Sequence, residues 1–324
     1  MPRKALVTGG AGFIGRHLLR ALLEAGQDVR VLDNLSSGSE ASIPERADFH
    51  RGDILNPQDV AAAMSGCDIV YHLAGNASGT LSVENPRFDF EANAVGTFNL
   101  LEAALAGDVR RFVYVSSASV YGVPRRFPID EEHPLSPFVP YGASKLVGER
   151  YCRTYLDTYG LPSVIARPFC VYGPGENPEL ALVEVARYLR WHLNGATIQI
   201  VGDADRKTRD FVHVDDVVRG LLILAESGKA GEAYNIGSGE ETSMRQLADL
   251  VGSFTDREVD LAEIREVMED TYRLVASVSK LAHLGYSPTM SLERGVRQLA
   301  EEMGASTALP MGSTIFHPGQ AAEE

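Results

Sequence analysis

The segment YGASKLVGER, residues 141 to 150, places Tyr141 and Lys145 four positions apart at the start of a helical pattern. Residues so spaced are neighbours on a helix, with Cβ atoms about 5 to 6 Å apart. A free phenol has a pKa of about 10 and keeps its proton at neutral pH. A lysine ammonium beside it favours the phenolate and lowers that value, which would make Tyr141 a base. The same spacing also occurs in ordinary surface pairs, so the pair alone decides nothing.

Two further stretches weigh on the chemical side. RFVYVSSASVYG reads as a strand that delivers Ser116, Ser117 and Ser119 to its carboxyl end, where doubly wound sheets bind ligands. A serine hydroxyl there can hold a substrate oxygen and pass its proton to Tyr141. ALVTGGAGFIGRHLLRALLEAG sets Gly9, Gly12 and Gly15 between a strand and a helix. Glycines in that turn let the backbone approach a pyrophosphate, and the helix N-terminus offers it unpaired N–H groups. Asp33 ends the next strand, 18 residues after Gly15. A carboxylate there can accept hydrogen bonds from both ribose hydroxyls and would repel a 2′-phosphate, so NAD is preferred over NADP. Asp33 could also cap the turn DNLSSG. Asp53 and Ile54, after the third strand, would lie beside the adenine, although Asp53 could equally be a turn residue. An oxidation by NAD moves a hydride to the nicotinamide and needs a base for the hydroxyl proton, a role open to Tyr141 because the positive nicotinamide ring joins Lys145 in stabilising the phenolate.

The elements that must position these groups are legible. KALVT, DVRVLD, DFHRGD, DIVYHLA, RFVYVSS and PSVIARP are short apolar strand patterns separated by helical ones. Such alternation predicts a parallel sheet covered on both faces, a doubly wound α/β domain. After Pro168 the pattern loosens into FCVYGPGENPEL, then a helix, TIQIVGD, RDFVHVDDVVRGLLILAE, EAYNIG and SMRQLADLV, which suits a smaller C-terminal lobe. The predicted division is a cofactor domain over 1–167 with a return segment near 206–230, and a substrate lobe over 168–205 and 231–304. Residues 305–324 lack apolar periodicity and read as a loosely held tail.

With 324 residues, 44% hydrophobic and 23% charged, the chain can bury a sizeable core. A net charge of −14 argues against a nucleic-acid or anionic-membrane partner. Cys67, Cys152 and Cys170 are scattered and odd in number, so neither a disulfide framework nor a metal site is expected. No stretch reads as a signal peptide or membrane span, and a cytoplasmic protein is predicted. His72, inside an apolar strand, is expected to be packed, and His213 to cap a helix. No histidine pair has metal-ligand spacing.

Taken in order, VTGGAGFIG, DNLSSG, GDI, HLAG, NAVGTFNLLEAA, VSSASVYG, YGASK, RPFCVYGPG, RDFVHVDDV and YNIG resemble the extended short-chain dehydrogenase/reductase family, in particular its UDP-glucose 4-epimerase-like branch. The resemblance runs from Lys4 to about Gln298. It implies a Rossmann-type doubly wound parallel sheet with a smaller C-terminal substrate-binding lobe, bound NAD, and a nucleotide-diphosphate sugar substrate, most simply a UDP-sugar. It implies Ser117, Tyr141 and Lys145 as the catalytic group. The implied cofactor wall comprises the glycine turn with Phe13 and Ile14, then Asp33, Asn34, Ser36 and Gly38, Asp53 and Ile54, Leu73, Ala74 and Gly75, and finally Asn93, Ser116 and Pro168, with Tyr141 and Lys145. Substrate contacts are implied at Ser78, Ser117, Ser119, Tyr141, Cys170, Arg209, Asn235 and Arg265. A solvated charge is the plainer reading of Arg209. Phe88, Phe90, Phe98, Tyr151 and Tyr155 are expected to be core residues of two long helices that, by the resemblance, pair two copies into a homodimer.

Four places depart from that family's pattern. Cys170 stands where an asparagine is usual, either as a small packed residue or as a thiol for proton transfer. Ala77 replaces a lysine found in some members. GDADRKTRD is one residue longer than usual, and VMEDTYR replaces a PGD segment, leaving Arg265 or Arg273 as phosphate partners. The redox start is common to several outcomes. Oxidation at carbon 4 followed by reduction from the other face gives a 4-epimer. Loss of the carbon 6 group after deprotonation of carbon 5 gives a 4,6- or 5,6-dehydratase. Ala118 and Ser119 occupy the positions of the Asp-Glu pair of the 4,6-dehydratases it resembles, which favours the epimerase. A non-catalytic NAD-binding regulator is a third reading, against which stands the intact Ser117, Tyr141 and Lys145 set.

Overall fold

Continuous apolar strands joined by helices can be buried only inside a two-sided layer, and that is the arrangement adopted. The computed structural model describes residues 4–176, 183–255, 257–264 and 272–304. Arg265 and the expected tail, 305–324, lie outside the described residues.

The first half runs β1 (Lys4–Thr8), α1 (Phe13–Glu24), β2 (Asp28–Asp33), β3 (Asp48–Arg51), α2 (Pro57–Met64), β4 (Ile69–His72), α3 (Gly79–Glu84), α4 (Pro86–Phe90), α5 (Gly96–Ala106), β5 (Arg111–Val115), α6 (Pro140–Tyr159) and β6 (Ser163–Pro168). A π-helical turn, Glu91–Val95, joins α4 to α5. The second half runs β7 (Cys170–Tyr172), α7 (Glu184–Leu193), β8 (Ile198–Val201), β9 (Thr208–Arg209), β10 (Phe211–His213), α8 (Val214–Ser227), β11 (Ala233–Ile236), β12 (Thr242–Ser243), α9 (Met244–Gly252), β13 (Leu261–Ile264), β14 (Arg273–Leu274), α10 (Ser279–Ala282) and α11 (Leu292–Gly304).

The central sheet has seven strands in the order β11-β6-β5-β4-β1-β2-β3, all parallel. Strand order reverses between β1 and β4, which opens a crevice at their carboxyl ends. Leu18, Leu19 and Leu22 of α1 recur at helical spacing and pack with Val217, Leu221 and Leu224 of α8 on one face of the sheet. Val60 of α2, Leu100 and Leu101 of α5, and Cys152 and Tyr155 of α6 cover the other. A separate apolar core, with Tyr188, Trp191, Ile198, Phe211, Leu247 and Val296, organises the smaller lobe.

The predicted division needs two corrections. EAYNIG is β11, the seventh strand of the central sheet, in register with β6 rather than part of the smaller lobe. Residues 206–213 supply β9 and β10, which pair with β12, β14 and β7 outside that sheet, so the return segment begins with α8. Each stretch shows an apolar β pattern, but choice of partner strand is a non-local property that the pattern does not carry.

Candidate functional site

The glycine turn lies at the switch point. Gly9 has φ +71°, and a Cβ there would sit 2.7 Å from the Ala74 backbone nitrogen. A Cβ on Gly15 would meet the Gly9 carbonyl oxygen at 2.2 Å, so only glycine lets α1 close onto β1. Gly12, the N-cap of α1, would place a Cβ near the Gly9 oxygen and otherwise in open space. The helix has no side-chain cap and no acidic residue in its first turn, which leaves its N–H groups and partial positive charge available to an anion. Asp33 accepts the Ala11 N–H at 2.9 Å through Oδ2 and the Leu35 N–H at 2.8 Å through Oδ1. Turn cap and ribose acceptor are therefore compatible roles, because each oxygen keeps a lone pair. Gly38 presses on Ala11, and Asn34 donates to Asp53 at 2.9 Å. Asp53 also accepts the Leu55 N–H, as a turn residue does, while Ile54 is buried against Gly96. Phe13 and Ile14 begin α1 half-buried, and Ser36 is exposed on the turn after Asp33. A pyrophosphate and a ribose diol fit this set of donors and acceptors. Leu73 to Gly75 lie against Gly9, with Gly75 at φ +140° facing the Asn93 side chain. Pro168 closes β6, buried.

The catalytic candidates meet where β5 ends and α6 begins. Two glycines make this possible: a Cβ on Gly142 would lie 2.6 Å from the Ser119 carbonyl oxygen, and one on Gly148 would lie 2.2 Å from the Tyr114 hydroxyl. Their absence lets α6 settle against β5. Ser117 caps the short 3-10 turn Ala118–Tyr121, accepting the Ser119 N–H at 3.1 Å, and its Oγ is 3.1 Å from Ser119 Oγ. It also acts on the Tyr141 phenol, favouring its ionised form. Ser117, Ser119, Tyr141 and Cys170 are half-buried among buried neighbours.

The protein's own groups do not by themselves make Tyr141 acidic. Burial raises the Tyr141 pKa above that of a free phenol, with the Ser117 side chain opposing it and the Asp89 charge adding to it. The Lys145 ammonium is not what governs that phenol, because Nζ turns to donate to the Val115 carbonyl at 3.1 Å and stands 5.5 Å from the Tyr114 ring. Burial in turn lowers Lys145 to about 8, against a smaller upward pull from Asp89. Ser116, expected on the cofactor wall, is likewise turned inward, its hydroxyl donating to Glu149 Oε1 at 2.6 Å.

Supports that sequence reading missed lie behind these groups. Glu149, on the same helix as Tyr141, pairs with Arg167 of β6, and Arg167 donates to the Tyr121 hydroxyl at 2.9 Å. Asp89 of α4 is completely buried and holds Asn76 and Asn93. Glu149 and Lys145 lie four apart on one helix face, the sole local hint of the first; for Asp89 in NPRFDFEAN there was none.

Among the expected substrate contacts, Ser78 caps α3, accepting the Leu81 N–H. Arg209 is buried, 3.8 Å from Glu184 of α7, so it is no solvated charge. Cys170 lies in β7 beside the small-lobe core, and burial raises its thiol, which keeps it protonated and favours its packing role. Asn235 is a correction: with no exposed surface, it donates to the Ile129 and Ser277 carbonyls and accepts from Tyr121 at 2.6 Å, so its amide is spent inside the protein. His72 bridges Thr8 and Thr97 in the interior, and His213 caps α8 by accepting the Asp215 N–H. No helix among the described residues is long and apolar enough to cross a membrane.

Residues 5–237 match the profile of the NAD dependent epimerase/dehydratase family. The chain is 36% identical over 300 residues to a putative UDP-glucose 4-epimerase of Methanocaldococcus jannaschii, covering 92% of this chain and 97% of the relative. It is 34% identical to a dTDP-glucose 4,6-dehydratase of an Actinoplanes species, over 91% of this chain and 96% of that one. The crystal structure of Thermus thermophilus UDP-glucose 4-epimerase in complex with NAD superposes with a TM-score of 0.86 at 33% identity, covering 94% of this chain and 99% of that one.

Proposed function

The chain belongs to the NAD-dependent epimerase/dehydratase family, and from that premise we propose that it is a nucleotide-diphosphate-sugar 4-epimerase, with a UDP-hexose as the simplest substrate. NAD held by the glycine turn and Asp33 supplies the hydride acceptor when bound. Tyr141 takes the proton of the carbon 4 hydroxyl during oxidation and returns it during reduction. Ser117 fixes the same oxygen through its hydroxyl, and Lys145 keeps a positive charge beneath the pair. Arg209, buried at the edge of the smaller lobe, is the cation suited to the diphosphate.

The choice of epimerase over dehydratase rests on one observation: the wall beside Ser117 carries no acid–base pair. Ala118 and Ser119 follow it, and the Cys170 thiol, beside the small-lobe core, is held neutral by burial. A carbon 5 deprotonation and loss of a carbon 6 group would need both a base and an acid there, whereas epimerisation needs only the reversible hydride and proton transfer at carbon 4.

A second reading concerns assembly. Phe88, Phe90, Phe98 and Tyr151, expected as core, are 38%, 52%, 39% and 42% exposed on α4, α5 and α6, and only Tyr155 is buried. The strand order packs these helices side by side, so their outer faces form an apolar surface suited to a second copy of the chain.

The decisive experiment incubates the protein with UDP-glucose, UDP-N-acetylglucosamine and dTDP-glucose and weighs the products. Unchanged mass with a new axial carbon 4 signal is expected, and loss of one water would replace the epimerase by a dehydratase. NAD binding with every sugar unchanged would favour a regulator. Tyr141→Phe is expected to abolish turnover while NAD still binds.

A further inference from the structure

Asp89 is a carboxylate without exposed surface and, among the described residues, without an ion-pair partner. Its Oδ1 accepts Asn76 Nδ2 at 2.7 Å and Asn93 Nδ2 at 3.0 Å. Its Oδ2 is buried with no hydrogen-bond partner among those residues. Both amide NH2 groups are fully committed: Asn76 Nδ2 also donates to the Ser78 carbonyl at 2.9 Å, and Asn93 Nδ2 to Ser144 Oγ at 3.1 Å. Ser144 Oγ donates in turn to the Tyr141 carbonyl at 3.0 Å. A continuous chain of hydrogen bonds therefore runs from Asp89 to the backbone of the catalytic tyrosine. Asn93 sits in the π-helical turn Glu91–Val95, a kind of irregularity that often accompanies functional sites.

Burying a carboxylate with half its acceptor capacity unused is costly unless its charge is felt by something. The groups able to feel it are few. From α6, Tyr141 and Lys145 face it, and its charge raises the pKa of both. His72 of β4, whose pKa burial pushes well down, is neutral. Tyr114 of β5 is pushed up by burial and stays protonated. Glu149 is already paired with Arg167.

We propose that Asp89 is a positioning residue of the catalytic site, a buried anionic counter-charge that holds Lys145 as an ammonium and, through Asn93 and Ser144, fixes the first turn of α6 beneath Tyr141. It deepens the epimerase reading above and rests on it for the identity of the reaction, but not for the electrostatics. A site that must both take and return one proton needs its phenol neither too acidic nor too weak. The Asp89 charge opposes phenolate formation directly and favours the charged form of Lys145.

The test compares phenolate absorbance on titration of the NAD-loaded wild type and Asp89→Asn, each after subtraction of the matching Tyr141→Phe variant. Removing an anion from the site is expected to move the Tyr141 titration to lower pH by roughly 0.5 to 1 unit, and both limbs of the pH–rate profile the same way. Asp89→Ser, which removes the charge and leaves room for water, serves if the asparagine variant does not fold. An unmoved titration in a folded, NAD-binding variant overturns the proposal even where sugars are epimerised. A moved titration in a protein that converts no nucleotide sugar upholds it and removes the epimerase instead.

Discussion

The Glu149 carboxylate grips the Arg167 guanidinium on two sides, Oε1 to Nε at 2.9 Å and Oε2 to Nη2 at 2.6 Å, with both side chains buried. Burial alone would lower the guanidinium pKa, but the Glu149 hydrogen bonds and charge outweigh it and raise it. The pair links α6, which carries Tyr141 and Lys145, to β6, and through Tyr121 and Asn235 to β11. It thereby anchors both flanks of the site in the sheet.

Breaking one partner of such a pair leaves an uncompensated buried charge, which typically costs about 3–5 kcal/mol. Glu149→Gln is therefore expected to lower stability by that order in urea denaturation. It also replaces the charged acceptor of the Ser116 hydroxyl by a neutral amide oxygen, so turnover is expected to fall in the fraction that remains folded.

Asp33 carries two backbone hydrogen bonds and a negative charge at the end of β2. Asp33→Asn keeps the shape but points an amide at one of those N–H groups and removes the repulsion of a 2′-phosphate. NAD affinity is expected to fall by about tenfold, the size of a lost charge-assisted hydrogen bond. NADP affinity should fall less, so calorimetry with the two cofactors would show the preference narrowing.

Lys145 has its pKa lowered to about 8 by burial, below the ordinary lysine value of 10.5. Between those values the unfolded chain binds the proton that the folded one releases, so stability gains with rising pH in that window. Below pH 8 the full cost of burying the ammonium is present. Lys145→Met is expected to match or exceed the wild type in urea midpoint at pH 7 and to lose that advantage by about pH 10, while turnover is abolished. A variant whose relative stability does not change with pH would show that the amine is not desolvated.

Phe98 of α5 meets Tyr151 of α6 edge to face at 5.7 Å, and both remain substantially exposed. If this surface joins two copies, Phe98→Glu places a charge at its centre and is expected to cost about 2 kcal/mol or more of association free energy. Sedimentation velocity should then show the wild type as a dimer and the variant dissociating in the micromolar range. A wild type that sediments as a monomer would remove the proposed interface.

Much of the molecule is legible in the chain itself, for a physical reason. Strand and helix patterns, the glycine turn of Gly9, Gly12 and Gly15, the carboxylate of Asp33 after β2, and the four-residue step from Tyr141 to Lys145 are local relationships, set by backbone geometry along the chain. The helix-capping role of His213 was likewise written in its immediate neighbours. Tertiary structure decided whatever depends on burial and on distant partners. It moved EAYNIG into the central sheet, spent the amide of Asn235 inside the protein, left Phe98 and Tyr151 outside the core, and held Cys170 protonated. It raised the Tyr141 phenol where spacing alone suggested a lowered one, because desolvation and the charge of Asp89, 52 residues away in sequence, act through space rather than along the chain.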